Sequence, residues 1–199
     1  MRNKVKKLKE LRARTKGIGL FYCKKSLEES DWDIEEAVVL LQKWGELKVD
    51  KRARKETNHG LIYSYVHHNN QVAAMVEVNC ESDFAACNQL FRDFCEALAM
   101  QVVSASPEYL SVNEIPAAVL AKQTEIFAAQ VPEKVPEDRI PNIINGKLSK
   151  WFGQVCLVDQ QSVIEKKMTI EQLRARLVQQ IGENVVIKRF ARWEIGDEG

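Results

Sequence analysis

The chain is predicted to be an α+β protein: a three-helix N-terminal domain, then a small antiparallel sheet with helices packed on one face. Three observations lead there. Apolar residues recur at helical spacing through the first 45 residues and in several later stretches. Two runs rich in branched and aromatic residues flank Asn69-Asn70, where Asn tolerates the positive φ of a tight two-residue hairpin turn. A third run of that kind, "NVVIKRFARWEI", closes the chain.

The elements follow in order. Residues 1–45 read as three helices. The first carries Val5, Leu8, Leu11 and Arg12 at helical spacing, and the second covers Leu20 to Glu29. Asp33 and Glu36 form a capping-box-like pair that opens the third. Ile34, Ala37, Val38, Leu41 and Trp44 then share its face, and Gly45 is placed to end it. Residues 46–59, "ELKVDKRARKETNH", are charged and read as a partly helical linker. Residues 60–199 form the α+β core and dimerisation domain.

Within that core, "LIYSYVHH" and "QVAAMVEVN" make the hairpin. A corner follows at Ser82-Asp83-Phe84, then a helix with Leu90, Phe91, Phe94, Ala97, Leu98 and Val102 on one side, stopped by Pro107. A helix is predicted over 117–129, turns over the proline-rich "VPEKVPEDRIPN", and a short helix over 143–152. "QVCLVD" reads as a short third strand, which makes a sheet of three or four strands. Thr169 and Gln172 form a capping box for a helix carrying Ile170, Leu173, Leu177 and Ile181. In the last strand Val185, Ile187, Arg189, Ala191 and Trp193 alternate with Val186, Lys188, Phe190 and Arg192. Neither face is cleanly polar, so the sheet needs a second cover, and a second copy of the chain is one way to supply it.

An apolar share of 45% and a charged share of 29% over 199 residues are those of a globular protein large enough for one ordinary domain and a small one. No apolar run approaches the roughly 20 residues that span a bilayer. The basic start "MRNKVKKLKELRART" lacks the apolar stretch of a secretory signal, so the cytoplasm is the expected location and no membrane is expected as partner. The five cysteines are odd in number, with no CxxC pair, and read as reduced thiols outside any disulfide or zinc framework. Residues 1–60 hold 16 Lys/Arg against 10 Asp/Glu and the remainder 13 against 18, so the head is basic. Nucleic acid or an acidic protein surface is the partner such a head would meet.

The chemistry of an enzyme is not visible. There is no phosphate-binding GxxxxGK[ST], no GxGxxG between strand and helix, no GxSxG and no HExxH. His67 and His68, adjacent on a predicted strand, are expected on opposite faces, unable to share a metal. No catalytic residue, cofactor or metal is predicted. Eight Lys/Arg fall in the first sixteen residues, but no aromatic is interleaved to stack on bases, so a solvated helix face is expected there. The corner in "EVNCESDFAACN" raises a separate question. Asp83 suits a turn or a helix entry, where its carboxylate can accept an unpaired backbone N–H. Phe84 either folds back into the core or enters another molecule.

Three stretches resemble one family. "KKLKELRART" with "GIGLFYCKKSLEESDWDIEEAVVLLQKWG" is similar to the N-terminal domain of the elongation factor Ts family, whose pattern is Leu-Arg-x-x-Thr-Gly-Ala-Gly-Met-Met-x-Cys-Lys-Lys-Ala-Leu. "VEVNCESDFAACN" resembles its second signature, Val-Glu-x-Asn-Cys-Glu-Thr-Asp-Phe-Val-Ala-x-Asn, and "IGENVVIKRF" a third segment. The resemblance runs the full length and looks like the short form with one core module. It implies a guanine-nucleotide exchange factor for elongation factor Tu, not an enzyme that makes or breaks bonds. It further implies that Phe84 wedges near the Mg²⁺ and phosphate site of that GTPase, with Asp83 as polar contact. Asn79, Cys80 and Ser82 of the same motif join the contact. Arg12 stands at the family's contact arginine, and Leu20 and Phe21 at its paired methionines.

For the short form the resemblance implies that a second subunit takes the place of the second module, giving a homodimer and a 2:2 complex. No cofactor and no direct nucleic-acid contact are implied. The sequence departs from the pattern at Lys16, an extra residue after Thr15, at Tyr22, and at Ser82 and Ala85. The last two are smaller than the usual Thr and Val and are expected to loosen the corner. The three-helix head also looks like a ubiquitin-associated fold, so a non-catalytic adaptor is an alternative, as is an RNA-binding protein using the basic head.

Overall fold

The computed structural model describes the backbone of residues 2–15, 20–52, 55–132 and 134–197, and side chains over the same ranges except at 2, 3, 5, 12, 20–22 and 45–52. Among the described residues there are eight α-helices and three strands. Helices α1 (Arg2–Arg14), α2 (Leu20–Glu29) and α3 (Ile34–Arg52) come first, followed by strands β1 (His59–Val66) and β2 (Val72–Cys80). Then come α4 (Asp83–Cys87), α5 (Gln89–Ala105), α6 (Ala117–Ala129), α7 (Ile140–Val155), α8 (Ile170–Ile181) and strand β3 (Val185–Glu194). The sheet has the order β1-β2-β3 and is antiparallel, as predicted for the class.

The hairpin forms where the sequence placed it. Its turn is longer than the two residues expected: His67 N–H donates to the Val72 carbonyl at 2.9 Å, Asn70 N–H to the His67 carbonyl at 2.8 Å, and of the two asparagines only Asn70 takes a positive φ, 55°. On β2, Val72, Ala74, Val76, Val78 and Cys80 are buried and alternate with less buried neighbours, the period of a sheet covered on one face. β3 departs from its predicted alternation. Val185 and Ile187 are buried, but Lys188 and Arg189 are both exposed, so Arg189 and Trp193 do not share the environment of Val185. Arg189 Nε instead donates to Glu77 Oε2 at 2.6 Å.

The chain divides into two compact units. In the first (Met1–Leu61, Asn79–Arg92 and Arg174–Val186), the three N-terminal helices close on Leu11, Cys23, Leu27, Ala37 and Leu41. Asp33 opens α3 as predicted, its Oδ1 accepting the Glu36 N–H at 2.9 Å. Gly45 does not end that helix, which continues to Arg52. A lone glycine costs a helix about 1 kcal/mol relative to alanine. The helix-forming "ELKVDKR" beyond it outweighs that.

In the second unit (Ile62–Val78, Asp93–Leu173 and Ile187–Gly199), α6 and α7 pack on each other, and Ile115, Val155 and Cys156 anchor a small core with Tyr109, Leu120, Trp151 and Phe152. Helix α6 has its predicted bounds. Helix α7 starts three residues early because Pro141 sits in its first turn, where a missing N–H is harmless. The predicted strand "QVCLVD" is not one. Helix α7 consumes its start, Cys156 makes an isolated bridge to Tyr109, and a single 3₁₀ turn follows. A short buried apolar run has no periodicity with which to tell these apart. Thr169 and Gln172 cap α8 reciprocally, at 3.2 and 2.9 Å.

Candidate functional site

β2 ends at Cys80, and the chain turns at Glu81 and Ser82 into the five-residue helix α4. Ser82, extended at φ −133° and ψ 160°, is the N-cap, and Asp83 follows it at the helix entry. Its hydroxyl oxygen accepts the Ala85 N–H at 3.3 Å. The hydroxyl proton goes to Glu183 Oε1 at 2.7 Å, and the Ser82 N–H to Glu183 Oε2 at 3.0 Å. The Ser82 carbonyl accepts the Cys80 thiol at 3.1 Å and the Ala86 N–H at 3.3 Å. Every polar atom of this residue is engaged. The corner was expected to be looser for having Ser in place of Thr and Ala in place of Val. Serine keeps the hydroxyl that makes the bonds, and Ala85 is buried.

A second set of contacts runs the other way. Glu81 Oε1 accepts the Asn184 N–H at 2.6 Å, and Asn184 Nδ2 donates to the Lys55 carbonyl at 3.0 Å. Asn79 Nδ2 reaches the Thr57 carbonyl at 3.4 Å. Burial, with the nearby charge of Glu183, pushes the Cys80 thiol up to about 11, so it remains a neutral donor. Asn79 and Cys80 therefore lie inside this frame, and Cys80 is fully buried.

Two side chains stand outside it. Asp83, in the first turn of α4, is exposed and accepts the Phe84 N–H at 2.9 Å. Phe84 is 84% exposed while Ala85 and Ala86 behind it are buried. Of the two readings left open for Phe84, the one that folds it into the core is closed. Beside the corner a shallow groove of about 430 Å³ runs past His59, Leu61, Asp83, Cys87 and Arg92. Sequence reasoning missed Glu183, Glu81 and the groove's Arg92. The only signal for the first was the segment "IGEN", a glycine and an acid directly after a helical pattern.

Among the other site residues, Arg12 lies on α1 and Leu20 and Phe21 open α2, but their side chains fall outside the described residues, as do Lys16 and the side chain of Tyr22. His67 and His68 are not on opposite faces. β1 ends at Val66, so strand alternation does not govern them, and their rings lie 4.2 Å apart between centroids. Among the described residues no group of three or more His, Cys, Asp and Glu side chains could hold a metal, and no helix is long and apolar enough to cross a membrane.

Comparison with known proteins agrees with the motifs. The family model described as Elongation factor TS matches residues 23–197. The chain is 40% identical to the elongation factor Ts of Thermotoga neapolitana over 195 residues, covering 98% of this chain and 96% of the relative. It is 39% identical to that of Caldanaerobacter subterraneus over 191 residues, covering 96% and 95% of the two chains. It is also 39% identical to that of Thermosipho melanesiensis over 193 residues, covering 96% and 98%. With the three motifs in register along nearly the whole length, the chain belongs to the elongation factor Ts family of translation elongation factors.

Proposed function

We propose that this protein is a guanine-nucleotide exchange factor for elongation factor Tu, acting in the cytoplasm by stabilising the nucleotide-free GTPase. The observation that carries the reading is the 84% exposure of Phe84 on a corner whose backbone is otherwise tied down. A large aromatic held in water on a fixed corner keeps its apolar area available to be buried against a second molecule. Asp83 supplies the polar contact beside it. A factor that weakens GDP binding is itself weakened by GDP in the same ratio. It works by binding the empty conformation better than the loaded one.

One ring is not enough. Nanomolar nucleotide affinity corresponds to about −12 kcal/mol. Burying a phenylalanine returns about 1.5–3 kcal/mol. A second patch must supply further differential binding, and the three-helix head, residues 1–45 joined through 46–59 to the core of 60–199, provides it through Arg12, Leu20 and Phe21. The test is release of fluorescent GDP from elongation factor Tu. An exchange factor accelerates it at substoichiometric amounts. An adaptor leaves the rate alone.

Thiol labelling maps the contact. At pH 8 a thiol reagent is expected to modify the exposed Cys87 and to spare Cys80 and Cys156, which burial holds near 11. Nucleotide-free elongation factor Tu is expected to slow labelling of Cys87, which lines the groove beside Asp83, in proportion to the bound fraction. Unchanged labelling in a saturated complex places the contact elsewhere.

The uncovered sheet face supports a homodimer and a 2:2 complex. Ile62 is 62% and Trp193 56% exposed, with Val66, Met75 and Ile195 also in solvent, and a groove of about 280 Å³ lies between Ile62, Met75 and the Glu77–Arg189 pair. Ile62→Lys is expected to turn a dimer into a monomer, read as mass in solution, without lowering the melting point of the monomer. A wild-type chain that is already monomeric at high concentration removes the dimer.

A further inference from the structure

We infer that Glu183 is a positioning residue for exchange, holding Phe84 in its exposed presentation through a two-point grip on Ser82; this rests on the exchange reading above. The ring of Phe84, at 84% exposure, has little packing to set its direction. Direction must come from the backbone that carries it. Helix α4 cannot set that backbone alone, because a helix of five residues is far below the length that is stable by itself. Most of the bonds at Ser82 are local: Cys80, Ala85 and Ala86 move with the corner. Those from Glu183 are not, since that residue is 101 positions away in sequence.

The grip is built from both sides. Helix α8 ends at Ile181, and Gly182 follows at φ 76°, a conformation that favours glycine. Its N–H still donates to the Val178 carbonyl at 2.9 Å. That turn delivers the Glu183 carboxylate to Ser82, while Asn184 brings its N–H to Glu81. Each glutamate accepts a backbone N–H of the other's segment, so the two segments are locked in register. Bonds to an ionised carboxylate are the stronger kind. In "IGEN" the glycine makes the turn, the glutamate holds the corner, and the asparagine makes the return bond with its backbone N–H while its side chain holds the Lys55 carbonyl.

The test is a cycle with Phe84→Ala, read as the maximal rate of GDP release from elongation factor Tu at saturating factor. Glu183→Ala is expected to lower that rate about tenfold, the size of a lost bond to a charged group. The concentration for half-maximal effect changes less, because the head still binds. Glu183→Gln, whose carbonyl accepts the Ser82 N–H and whose amide donates to the Ser82 oxygen, restores most of the rate. In a Phe84→Ala background, Glu183→Ala is expected to add nothing, since the ring it positions is gone. If Glu183→Ala exchanges normally while Phe84→Ala is slow, the inference falls and the exchange reading stands. If Glu183→Ala slows Phe84→Ala by the same factor again, the glutamate acts elsewhere and the inference also falls. If Phe84→Ala itself exchanges normally, the wedge reading fails first. Should Glu183→Ala not fold, Ser82→Ala removes the hydroxyl half of the grip together with the cap on Ala85, keeps the N–H half, and is held to the same non-additivity.

Discussion

Replacing Phe84 by alanine is expected to slow GDP release from elongation factor Tu by about tenfold to two-hundredfold and to leave thermal unfolding unchanged. The range is the roughly 1.5–3 kcal/mol of a buried phenylalanine, read at 1.36 kcal/mol per factor of ten. It applies only if the ring is covered in the transition to the nucleotide-free complex, since interactions present equally in the loaded complex do not shift the equilibrium. The free protein has little to lose. The side chain is 84% exposed, so truncation removes little buried area. Alanine is also the better helix former at the second position of α4. Stopped-flow displacement of fluorescent GDP and a thermal melt of the free factor measure the two halves independently. A marked drop in melting temperature with normal exchange would show the ring to be a structural element, and the mechanism would fail with it.

The parts of this molecule that were legible in sequence are those written locally. Helix α6, the hairpin turn at Asn70 and the reciprocal cap at Thr169 depend on residues within a few positions of one another. The misread parts depend on distant partners or on competition between neighbours. Asp83 stands at the helix entry as its type suggests, but the hold of Glu183 on Ser82 beside it comes from 101 residues away and leaves no local mark. "QVCLVD" has the composition of a strand. Helix α7 runs into it and Tyr109 offers only a single bridge, so no ladder forms. The pair His67–His68 obeyed strand alternation only on the assumption that β1 reached it. The exposure of Phe84 was undecided by pattern alone, because an aromatic beside an acid at a bend fits either destination. The family resemblance favoured the outside, and the fold agrees on exposure.

Phe91→Ala is the counterpart, expected to cost about 3–5 kcal/mol of stability. Its side chain is fully buried, so truncation loses transfer energy and leaves a cavity. The two phenylalanines are seven positions apart. In an unbroken helix that spacing returns to within about 20° of the same face. Both rings would then point the same way, and could not be 84% and 0% exposed. The break at Asn88 separates them. Its backbone is extended at φ −67° and ψ 136°, its N–H closes α4 on the Ala85 carbonyl, and its Oδ1 accepts the Leu90 N–H at 2.9 Å to open α5. One residue thus ends one helix, starts the next, and turns the first aromatic outward while the second stays in. Denaturant unfolding of Phe91→Ala is expected to show a lower midpoint with an unaltered slope. Exchange per folded molecule should match the wild type. A Phe91→Ala protein that keeps its midpoint but exchanges slowly would reverse the two assignments, and with them the claim that Asn88 divides a ring for binding from a ring for stability.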